Sequence, residues 1–132
     1  MASTIACLEA LFLRDIKPPT ELSYRLTQRV IALLRCFGWP PLEMRDSLKI
    51  AYDVRSKYVH GASPGNRSHE VLNALFRRVA EYARASCLVW TQTVPAERKE
   101  LLAALDTALV DDGARTALQE RCCAVAFAPQ PQ

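Results

Sequence analysis

Prolines and glycines cut this sequence into segments, and inside each segment the apolar residues recur at steps of three and four. Pro18-Pro19, Pro40-Pro41 and Pro95 break the chain, and Gly38 and Gly61 stop the stretches that precede them. The spacing fits α-helices, and no stretch shows the alternation of a half-buried strand. The expected helices cover about 3–14, 21–37, 42–60, 68–90 and 96–110, with a short sixth segment over 114–122. Ser3 or Thr4 is the expected cap of the first, Thr20 of the second and Ser68 of the fourth, and Asp111-Asp112-Gly113 reads as a turn. The fold class is all-α: a compact antiparallel helical bundle of about five helices. A single domain spans residues 1–123, and the Pro-Gln-rich end, 124–132, reads as a disordered tail.

Composition narrows the function classes. Half of the 132 residues are hydrophobic, enough for one core without staples. No apolar run approaches the roughly 20 residues of a membrane span. Residues 1–13 lack a basic start and carry Glu9 inside their apolar stretch, so they do not read as a signal peptide. The five cysteines form no C-x-x-C pair, and with two histidines they give no zinc pattern. They read as reduced thiols, mostly buried, in a cytoplasmic protein. The net charge of +3 is too small to demand a nucleic-acid partner, yet residues 45–94 alone hold a net +4. Phosphate-loop, dinucleotide-binding, zinc-protease and serine-hydrolase patterns are all missing, so neither a metal nor a cofactor is expected.

The third helix is the unusual one. With Leu48 at zero, Ala51, Tyr52, Tyr58 and Val59 lie within about 80° of it, an apolar face wide enough for the central helix of a bundle. Arg55 falls in the middle of that face, at about −20°. A guanidinium there needs an acid, a set of carbonyls, a phosphate or a cleft open to water. Glu9 and Glu21 are candidate acids, although solvated acids on helix faces are the ordinary reading for both. Lys49, Asp53, Ser56, Lys57 and His60 lie on the polar side, with Ser56 and His60 sharing a face. Arg55 and His60 diverge by about 140° in a regular helix. They converge if the last turn unwinds, if Arg55 bends round its own helix, or if a second subunit supplies one of them.

The string Ala51-Tyr-Asp-Val-Arg-Ser-Lys-Tyr-Val-His-Gly61 resembles the signature of HEPN domains, and the Apea-like branch in particular. Residues 7–13 and 21–26 resemble the same branch less specifically. The resemblance covers roughly residues 4–110. It implies a metal-independent endoribonuclease that works as a homodimer, with two Arg-x4-His motifs meeting near the two-fold axis. On that reading Arg55, His60 and Ser56 are catalytic. Lys57, Tyr58, Lys49 and Arg67 are weaker candidates for substrate contact. RNA is the implied partner, with a bacterial defence or toxin–antitoxin setting and an antitoxin or other protein as a further partner. Some HEPN domains do not cleave, so a module that binds RNA, nucleotide or protein is the alternative. Arg77, Arg78 and Arg84 read as a solvated face, His69 as a surface residue, and Trp39 and Trp90 as packing residues.

Overall fold

The computed structural model describes residues 1–16, 21–63, 65–125 and 128–131. The chain is an all-α helical bundle. Six α-helices occur among the described residues: α1 (Ala2–Phe12), α2 (Leu22–Leu34), α3 (Pro41–Val59), α4 (His69–Gln92), α5 (Arg98–Thr107) and α6 (Asp112–Cys123). Short 3-10 turns, Arg35–Phe37 and Pro95–Glu97, continue α2 and lead into α5. No helix of the described residues is long and apolar enough to cross a membrane.

The helix boundaries follow from local chemistry. Pro41 opens α3 at a position where a missing N–H costs nothing. Ser68 caps α4 by accepting from the Val71 N–H at 3.3 Å, as expected. Asp111 caps α6 by accepting from the Ala114 N–H at 2.6 Å. The expected turn at 111–113 is therefore the start of a helix, because the Asp111 carboxylate satisfies a donor that a turn would have left open. Ser3 and Thr4 do not cap α1. The helix begins one residue earlier, behind Met1, and has no side-chain cap. The expected cap Thr20 and the Pro18-Pro19 break lie outside the described residues.

α2, rather than α3, is the central helix. Eight of its thirteen residues are buried, and it packs on α1, α3, α4 and α5. α3 buries a single stripe, Met44, Ser47, Leu48, Ala51 and Val54. Its last apolar residues are open, with Tyr58 76% and Val59 65% exposed, so the final turn stands clear of its neighbours. The expected wide apolar face of α3 is thus narrower at its C-terminal end. α4 runs along the bundle and contributes Leu72, Leu75, Val79, Tyr82 and Val89 to the core. Trp39 and Trp90 are both packed: Trp39 meets the Tyr82 ring edge-on at 5.6 Å, and Trp90 lies 5.8 Å from the Phe12 ring. Past the end of α6, Pro129 is buried, and its carbonyl accepts from Trp39 Nε1 at 3.5 Å.

The cysteines are free thiols: Cys122 is buried, Cys7, Cys36 and Cys87 are half-buried, and Cys123 is exposed. Cys7 Sγ on α1 and Cys87 Sγ on α4 lie 3.7 Å apart. A hydrogen bond with Cys122 lowers the Cys36 thiol pKa, and the same contact raises that of Cys122.

A buried ionic node ties the frame together. Arg29, on α2, is 2% exposed. Its Nε and Nη2 donate to Asp106 at 2.8 and 2.7 Å. Its Nη1 and Nη2 donate to Asp15 at 2.7 and 3.0 Å, and Nη1 also donates to the Phe12 carbonyl. Each of the five guanidinium donors is thereby matched. The node joins the end of α1, the middle of α2 and the C-terminal half of α5.

Replacing Arg29 with Met is expected to cost about 3–5 kcal/mol, because two carboxylates are then left facing each other with no cation between them. Urea denaturation of both proteins measures the difference. A second expectation concerns acid. Hydrogen bonding to Arg29 holds the Asp15 carboxyl below the usual carboxylate range. A depressed folded pKa means that the stabilisation is complete above the unfolded value, about 3.9, and is lost as pH falls through the folded one. Asp15→Asn is expected to lower stability at pH 7 and to flatten its fall below pH about 4, as read from melting temperatures across that range.

Candidate functional site

α3 builds the site along its exposed flank and at its C-terminal end. The helix stays regular to Val59 and closes with paired bonds. The Gly61 N–H donates to the Tyr58 carbonyl at 3.1 Å and the Ala62 N–H to the Lys57 carbonyl at 2.8 Å. This closure needs a left-handed residue after the cap, and Gly61 supplies it at φ +69°. His60 is the cap residue itself. It is exposed, and its backbone N–H donates to the Ser56 carbonyl at 3.1 Å. The glycine thus ends the helix with the imidazole at the rim, outside the packed bundle.

Arg55 is held on the inner side of α3. Its Nη1 donates to Glu9 Oε1 on α1 at 2.6 Å. The Tyr52 hydroxyl donates to the same oxygen at 2.8 Å. The guanidinium carbon sits 5.7 Å from the centre of the Tyr52 ring, within cation–π range. Burial raises the Tyr52 phenol pKa, and the Glu9 carboxylate adds to the shift. The Arg55 and Glu9 side chains keep 25% and 21% exposure, so the cluster lies at the edge of the bundle with one side open to water. Glu9 is the acid that Arg55 requires, and the ordinary reading of Glu9 as a solvated acid is corrected accordingly. Glu21 has no such role. It caps α2 in a left-handed conformation at φ 53°.

The weaker candidates fall into two groups. Lys57 pairs with Asp53 at 3.0 Å, and Arg67 reaches the same carboxylate at 3.8 Å. These two cations sit together beside the last turns of α3 and share one counter-charge. Lys49 is farther back along the helix, about 16 Å from His60 by helical rise. It lines an open groove of about 800 Å³ between α2 and α3, along with Tyr24, Gln28, Arg45 and Tyr52. Helical steps place Arg45, Lys49, Tyr52, Ser56 and His60 in one strip about 80° wide. Ser56 and Tyr58 are exposed beside His60. Arg77 and Arg84 are exposed, and Arg78 pairs across to Glu43 on α3 at 2.8 Å.

The structure leaves Arg55 and His60 on different sides of the same helix. The last turn does not unwind, which removes one of the three ways in which the two could meet within a site.

Comparison with family models, with curated proteins and with solved structures finds no match to this chain.

A double-mutant cycle on Glu9→Ala and Arg55→Ala is expected to give a coupling energy of about 1–3 kcal/mol, in the range of hydrogen bonds to charged groups. Denaturation of wild type, the two single variants and the double variant supplies the four terms.

Proposed function

We propose that the chain is a metal-independent endoribonuclease of the HEPN type. It acts as a homodimer in the cytoplasm, as an RNA-cutting effector in a bacterial defence or toxin–antitoxin setting. The observation that carries this reading is the string from Tyr52 to Gly61. It puts an accessible imidazole at a helix end and a guanidinium, a quarter exposed, five residues before it.

The chemistry fits these groups. Cleavage of RNA by its own 2′-hydroxyl needs a base for that hydroxyl, charge stabilisation at phosphorus and an acid for the leaving 5′-oxygen. A histidine, with an ordinary pKa of about 6.5, suits the proton transfers assigned to His60. The Arg55 fork suits the phosphorane oxygens, and Glu9 orients it through one amino group. On this reading the Ser56 hydroxyl, exposed like His60, would hold a phosphate oxygen. Lys57 and Arg67, and farther back Lys49, would steer the RNA backbone, and Tyr58 offers an exposed ring for a base.

Separation within one helix favours a site shared between two chains. A second copy would bring its His60 to the Arg55 side of the first. Val59 at 65% exposure, together with Val71 at 56% near the start of α4, supplies apolar surface for that contact. The Arg55–Glu9–Tyr52 cluster also supports a second reading. In it Arg55 is structural and the chain is a non-catalytic module that binds RNA, a nucleotide or a partner protein such as an antitoxin.

Labelled single-stranded and structured RNAs, incubated in EDTA with folded wild type, Arg55→Ala and His60→Ala, test the reading. Each substitution is expected to lower cleavage by at least about 100-fold, the usual scale for losing an acid–base or charge-stabilising group. An equimolar mixture of the two variants, after subunit exchange, is expected to regain up to about a quarter of wild-type activity. Half of the dimers are then mixed, and each mixed dimer rebuilds one of its two sites. Cleavage that survives both substitutions would sink the site. A folded wild type that binds RNA and never cuts it favours the second reading.

A further inference from the structure

Among the described residues, Trp90 Nε1 and Arg98 Nε are the side-chain nitrogens shut off from solvent without a hydrogen-bond partner. Both residues line one cavity of about 610 Å³, between the end of α1, the last turns of α4 and the start of α5. Buried polar groups are nearly always satisfied, so two orphan donors behind the wall of one cavity leave this part of the fold short of acceptors. The volume is that of a small-molecule site.

The cavity has an apolar part and a cationic part. Leu11, Trp90 and Leu102 supply the first, and Arg14, Arg98 and Lys99 the second. The carboxylate in the lining, Asp15, already gives both oxygens to Arg29. Arg98 makes one long contact, from Nη2 to the Trp90 carbonyl at 3.5 Å. None of the three cations has an ion pair with a described residue. Three cations that make no ion pair with a described residue, beside an apolar wall, complement a single anionic head on an apolar body.

We propose that this cavity binds a small anionic amphiphile, an acyl or aryl chain ending in a carboxylate or phosphate. The head lies among Arg14, Arg98 and Lys99, and the body lies against Leu11, Trp90 and Leu102. The site draws nothing from α3, so it stands whether or not the chain cuts RNA.

Calorimetric titration of the full chain with decanoate and with decyl phosphate, each below its micelle threshold, tests the proposal. Decanol and inorganic phosphate serve as controls that carry the body or the head alone. At least one amphiphile is expected to bind one molecule per chain, and the tighter of the two identifies the head group. Both controls are expected to bind at least about tenfold more weakly, a difference set by whether body and head act together. Arg14→Ala combined with Lys99→Ala, at exposed positions, is expected to weaken binding by at least about tenfold with the melting temperature unchanged. Bound amphiphile is also expected to slow alkylation of Cys87, which lines the cavity, while exposed Cys123 reacts as before in peptide mapping. Absence of binding by both amphiphiles overturns the proposal. So does equal affinity for decanol, binding that survives the double substitution, or a Cys87 that gains no protection.

Discussion

Arg29 sets a permanent positive charge in the middle of the bundle, and a guanidinium there is tolerable only if every donor is matched. The match comes from three separate parts of the chain: the Phe12 carbonyl and Asp15 after α1, and Asp106 on α5. The two acids contribute from the surface, with side chains 37% and 50% exposed, while Arg29 itself is sealed. Their outer lone pairs keep contact with water, so the desolvation cost falls mainly on the guanidinium. That arrangement is cheaper than burying three charges and still fixes geometry, because bidentate bonds to two acids leave little freedom to α1 and α5.

The second arginine on an apolar face is treated differently. Arg55 has one acid rather than two, shares it with the Tyr52 hydroxyl and remains a quarter exposed. Arg29 is closed on all sides and has nothing left to offer a ligand. Arg55 has an open edge. The contrast separates an arginine that makes a frame from one that can face solvent, a distinction that rests on burial and on the number of acids rather than on sequence position.

Much of the frame was legible because punctuation and period agree. Pro41, Ser68, Gly38 and Gly61 act in the structure as their residue types require. Asp-Asp-Gly suits both a turn and a helix start, so Asp111 reads as part of a turn in the sequence; the deciding fact is the Ala114 donor that its carboxylate finds. The Arg29 node was missed although its signal was present. With Leu22 at zero, Leu26, Arg29 and Leu33 fall within about 40° on α2, which puts Arg29 in the middle of an apolar stripe, as Arg55 is on α3. Its two acids could not have been found the same way, since Asp15 and Asp106 meet it across sequence separations of 14 and 77 residues. The position of Arg55 on an inward face was legible, and its partner Glu9 was one of two acids in view. Selecting between Glu9 and Glu21 required the packing of α1 against α3.

α1 is where these threads meet. It has eleven residues, no side-chain cap and no acid in its first turn, so its stability is drawn from packing rather than from its own ends. Ile5, Leu8 and Phe12 anchor it in the core, and the Phe12 carbonyl ties its last turn to Arg29. Glu9 on one flank then meets Arg55 and Tyr52, Cys7 meets Cys87 on α4, and Leu11 with the following Arg14 forms a wall of the cationic cavity. The orientation of Arg55 is therefore fixed from outside α3. Glu9 can hold that guanidinium only where α1 stands, and α1 stands where the apolar core and the Arg29 node place it.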